Sequence, residues 1–67
     1  MSYFIFYASR GKKNFSTTQR PTAREALDVA RALQMSDEEI KFIDTPTQGR
    51  IDMDMLRALA KEEDERT

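Results

Sequence analysis

The chain has 67 residues, a net charge of −1, and neither cysteine nor histidine. That excludes disulfides and thiolate metal centres, and it removes both the commonest metal ligand and the usual general base. A chain this short buries only about 60% of its unfolded surface, so one domain held by apolar packing is expected, with self-association as a further source of stability.

The N-terminal run SYFIFYA is too short to span a bilayer and lacks a basic flank and a cleavage site. It reads as a strand over Tyr3 to Ala8, and the expected location is cytoplasmic, with no membrane partner. The turn RGKKN leads into Phe15-Ser16-Thr17-Thr18, where β-favouring residues resume, so the two segments form a β-hairpin. With a loop of two or four residues, Phe4, Phe6, Phe15 and Thr17 share one face, taken as the core side. Tyr3, Ile5 and Tyr7 then lie on the other. A three-residue loop reverses that assignment.

Thr22 followed by Glu25 is a capping box that starts a helix. Its apolar stripe is Ala26, Leu27, Ala30 and Leu33, with Val29 at the margin and Arg24, Glu25, Asp28 and Arg31 opposite. The next stretch, VARALQMSDEEIKFI, fits the packing pattern of a helix-turn-helix, with Ser36 and Glu39 as a second capping box. Against that reading, the tight-turn position is Gln34 rather than Gly. The second helix would also present Asp37, Glu38 and Glu39 to a polyanion. A strand over Ile40 to Ile43 is the stronger expectation, with Ile40 and Phe42 facing the helices. After a turn at Thr45 to Gly49, Asp52 caps a last helix whose buried face is Met53, Leu56, Leu59 and Ala60, with Ile51 stapled onto Leu56. The expected architecture is α+β, a two-layer ββαβα domain over residues 1–60. Its two helices pack on one face of a short sheet, and residues 61–67 form a solvated, fraying tail.

No motif carries catalysis. The carboxylates sit in runs, Asp37-Glu38-Glu39 and Glu62-Glu63-Asp64-Glu65, and consecutive helical residues point to different sides. Asp52 and Asp54 are explained by capping better than by Mg²⁺, which needs about six converging oxygens. Gly11 and Gly49 are too far apart to make a phosphate loop. No enzyme activity, cofactor, metal or small-molecule substrate is expected.

Charge is unevenly distributed. Residues 1–34 hold six basic and two acidic groups, a balance of +4, and residues 35–67 hold five and ten, a balance of −5. Such a bipolar chain can steer an encounter with a charged partner or with its own copy. Two binding surfaces follow. One is the sheet face carrying Tyr3, Ile5 and Tyr7, with Ile43 beside them, suited to another protein or to self. The other is the basic hairpin, with Arg10, Lys12, Lys13 and Arg20, suited to nucleic acid.

The segment YFIFYASRGKKNFSTTQRPTAREAL resembles the arm-type DNA-binding domain of phage integrases, in which a hairpin with a basic turn precedes a Thr-started helix. This resemblance covers about the first half of the chain, and it implies the nucleic-acid reading. The whole chain resembles small bacterial proteins with a hairpin, a T-A-x-E-A-L helix, a strand ending in a Gly-Arg turn and a short final helix. That resemblance implies a fold and brings no activity with it. The expected function is a non-enzymatic protein-interaction module, self-associating through its sheet face, with weak nucleic-acid binding by the hairpin as the alternative.

Overall fold

The computed structural model describes residues 2–66. Its elements in chain order are β1 (Tyr3–Ser9), β2 (Ser16–Arg20), α1 (Ala23–Met35), β3 (Glu38–Thr45), β4 (Gly49–Ile51) and α2 (Met53–Arg66). The strands make one antiparallel sheet in the order β2-β1-β3-β4, and both helices pack on one of its faces.

The opening apolar run pairs on both sides, with β2 and with β3, as suits a strand without polar alternation. Residues 40–43 are extended and lie against β1, so the helix-turn-helix reading fails. α1 ends instead in a turn where Ser36 N–H donates to the Ala32 carbonyl and Asp37 adopts φ +66°. Asp tolerates that left-handed conformation better than Gln34 would.

α1 begins as its capping residues dictate. The Thr22 hydroxyl accepts from Glu25 N–H at 3.2 Å, while the Glu25 carboxylate accepts that hydroxyl's proton at 3.4 Å. Asp52 caps α2, accepting from Met55 N–H at 2.9 Å.

Three features depart from the expected ββαβα plan. First, Gly49–Ile51 is a short fourth strand rather than part of a turn, paired with β3 through Ile43 and Ile51. The Thr45 hydroxyl organises the reversal, donating to the Gly49 carbonyl and accepting from Gln48 N–H, both at 2.8 Å. Gly49 supplies the required positive φ of 71°.

Second, residues 61–66, expected as part of a solvated, fraying tail, are helical and continue α2, with Lys61, Glu62, Asp64 and Glu65 exposed; Thr67 lies outside the described residues. Near the end of α2 the Glu63 carboxylate reaches back to the start of α1. It accepts from Ala23 N–H at 2.7 Å and Arg24 N–H at 3.0 Å, using both oxygens. These are free backbone donors at a helix N-terminus, where a negative charge is favoured.

Third, the covered face is inverted. Strand parity is as expected, since Phe4 and Phe6 share a side with Gln19 and Thr17. The helices, however, cover the opposite side. Ile5 and Ile43 are fully buried against Ala23, Ala26, Ala30, Leu56 and Ala60, with Tyr3, Tyr7, Ile40 and Ile51 packed around them. The cause lies in β3. Its register with β1 slips between Phe6 and Tyr7, leaving Lys41 as the extra residue of a bulge. Ile40 and Ile43 therefore face the same way although three positions apart, and Phe42 is turned outward, contrary to the expected inward pairing of Ile40 and Phe42. Three isoleucines on β3 and β4 then join Ile5 under the helices. The alanines of α1 let it approach that aliphatic layer closely.

Candidate functional site

The face of the sheet away from the helices carries Phe4, Phe6 and Ala8 from β1, Thr17 and Gln19 from β2, Glu39, Phe42 and Asp44 from β3, and Arg50 from β4. The strand pairing fixes this set. Phe6 and Phe42 stand directly opposite each other, and their rings stack at 4.4 Å between centroids with an interplanar angle of 22°. The Arg50 guanidinium lies over the Phe42 ring, 3.9 Å from its centroid, a cation–π contact. Phe42 is thus held between Phe6 and Arg50. Phe4 borders the pair and is 37% exposed.

Charged groups surround these rings. Lys41 pairs with Glu39 at 3.4 Å. Asp44 stands opposite Arg50 across the β3–β4 pair but has no ion pair among the described residues. Four charges of balanced sign therefore ring a phenylalanine centre.

Of the residues expected to bind a protein partner, Ile5 is fully buried beneath the helices, and Tyr3 and Tyr7 are half-buried against the same core. Their assignment to an open face is corrected. Tyr3 borders a shallow cleft of about 230 Å³ lined by Thr47, Gln48, Leu59, Glu62 and Glu63. Burial, together with the negative charges of Glu63 and Glu62, raises its phenol above the ordinary 10.0. Glu63, at the edge of the cleft, is committed to the backbone of α1. Among the described residues no group of three or more carboxylates converges as a metal site. No helix there is long and apolar enough to cross a membrane.

Of the basic residues, Arg10, Lys12 and Lys13 lie at the exposed β1–β2 turn. Arg20 lies at the far end of the hairpin, opposite Tyr3, donating to the Thr18 hydroxyl at 2.9 Å and the Gln19 carbonyl at 2.6 Å. The four do not form one surface. The acidic run Asp37–Glu39 sits beside the turn, since Ser9 pairs with Glu38 and Arg10 meets Asp37 at 3.6 Å. The bipolar charge of the sequence is partly spent within the fold, because Arg10–Asp37 and Arg24–Asp64, at 3.0 Å, both join the basic half to the acidic half.

Sequence reasoning missed Phe42 and Arg50. The available signal was Ile40 and Ile43 themselves, which reach one buried face together only if the strand carries an extra residue between them. No protein-family model, curated protein or solved structure matches the chain.

Proposed function

We propose that the protein is a non-enzymatic interaction module that binds a protein partner through the outer face of its sheet, with Phe4, Phe6, Phe42 and Arg50 as the contact residues. One observation carries this reading: the three phenylalanines of the sheet all lie on the side that no helix covers. Phenylalanine has no polar atom to keep in water, unlike the tyrosines of the covered side, and leaving such side chains exposed forgoes about 1.5–3 kcal/mol each. Clustered at one place with a guanidinium beside them, they have the composition of a protein–protein contact, rich in aromatics and Arg.

The nucleic-acid alternative draws less support. Both faces of the Phe42 ring are already occupied, by Phe6 and Arg50, whereas base stacking needs a free ring. The basic turn, for its part, has carboxylates as neighbours.

A photo-crosslinking residue in place of Phe4, in the intact cell, tests the proposal against the same residue in place of Gln34 on the exposed side of α1. Adducts to protein from position 4 and none from position 34 are expected. Adducts to nucleic acid, or to protein from position 34 alone, would overturn it.

A further inference from the structure

We propose that the occupant of this outer face is a second copy of the same chain, packed sheet against sheet about a two-fold axis. The inference rests on the reading of the outer face as the binding surface and adds the identity of the partner.

A two-fold interface uses the same patch on both copies, so the patch must complement itself. This one does. Arg50 and Lys41, the latter brought to the face by its ion pair with Glu39, supply two positive charges, and Glu39 and Asp44 two negative, around the stacked Phe6 and Phe42. A polyanion would call for a net positive face, and a strongly charged protein partner for a face of one sign. Asp44 has no intramolecular ion pair among the described residues, and the Arg50 guanidinium rests on a ring rather than on a carboxylate. One unspent charge of each sign therefore faces outward.

The core argues the same way. Among the described residues, Ile5, Ile43 and Leu56 alone are large side chains that are fully buried, a thin interior for a domain without disulfides. Stacking two sheets about 10 Å apart would give the phenylalanines a dry environment and convert two layers into four.

Area sets the strength. Strands about 4.8 Å apart and rising about 3.3 Å per residue make the four-stranded face roughly 400 Å² in plan. That is about half the 800 Å² per partner of a standard stable interface. A contact of this size falls among weak, transient interfaces, and the dimer is accordingly a reversible one.

Sedimentation of the full chain from about 1 µM to about 1 mM reads this directly, spanning the dissociation constants such an area allows. The weight-average mass should rise from one chain to two. Two further variants test the surface: Glu39→Lys with Asp44→Lys makes the face wholly basic, and Lys41→Glu with Arg50→Glu makes it wholly acidic. Each alone should associate at least ten-fold more weakly than the parent, and their equimolar mixture should regain a dimer whatever the direction of the two-fold axis. A parent chain that stays monomeric throughout, variants that associate as the parent does, or a mixture no more associated than its components would each overturn the proposal. A monomeric parent that still gives protein adducts from position 4 would end the self-association claim alone and leave the interaction module standing.

Discussion

The two faces of the sheet are both apolar, yet they differ in kind. The covered face is aliphatic at its centre, Ile5 and Ile43, with half-buried tyrosines at its margin; the open face is phenylalanine at its centre and charge at its margin. The difference teaches that hydrophobicity alone does not choose the side a helix covers. Shape does. The helical layer presents Ala23, Ala26 and Ala30 to the sheet, and short side chains there fit branched aliphatic partners at close range, whereas three phenylalanines would hold the helix away.

The sharpest way to break this comparison is to truncate one residue from each face. Ile43→Ala should lower unfolding free energy by about 2–5 kcal/mol. Phe6→Ala, a larger deletion, should cost only about 1–2 kcal/mol at low protein concentration because its ring is already partly wet. Urea titrations of both variants decide it, and equal losses would mean the faces are not distinct.

The layer that makes one face covered is closed by Glu63 on the N-terminus of α1. Glu63→Ala leaves two backbone donors without that partner and should cost about 1–2 kcal/mol, read in the same titration. Its effect should fall on the covered side, leaving ring proton shifts of Phe6 and Phe42 in place.

Tyr3 gives the covered face a pH signature. Its phenol is raised above 10.0 in the folded chain, so the neutral form is favoured there. The associated stability is complete below the unfolded value and is lost as pH rises through the higher folded one. Thermal melts across the alkaline range should fall more steeply for the parent than for Tyr3→Phe. The smallest effect belongs to the open face: Arg50→Met removes the contact over Phe42 and should change monomer stability by about 0.5 kcal/mol, measured by chemical denaturation.

Local signals were the legible ones. Thr22 with Glu25 and Asp52 before Met53 announce their helices because capping is decided within a few residues, whereas the parity that joins Phe4 and Phe6 to Thr17 waits on the length of the connection, which is six residues between Ser9 and Ser16. Which side the helices take was not legible, because Tyr3 to Ala8 is apolar on both sides and the deciding register slip at Lys41 involves a partner strand more than thirty residues away. β4 is only three residues long, below what alternation can mark. Glu63 lies in an acidic run that looks solvated until α2 is placed against α1. The open site was hidden for the same reason as the face: Phe42 reads as core in any strand without a bulge.

Nuclear Overhauser contacts from the Ile5 and Ile43 methyl groups test that arrangement most directly. Cross-peaks to the methyls of Ala26, Ala30 and Leu56, and none from those three to the rings of Phe6 or Phe42, are what a helix layer over the aliphatic side requires. Contacts from Leu56 or Ala26 to the Phe6 ring instead would place the helices on the aromatic side, and the proposed binding surface would then be interior.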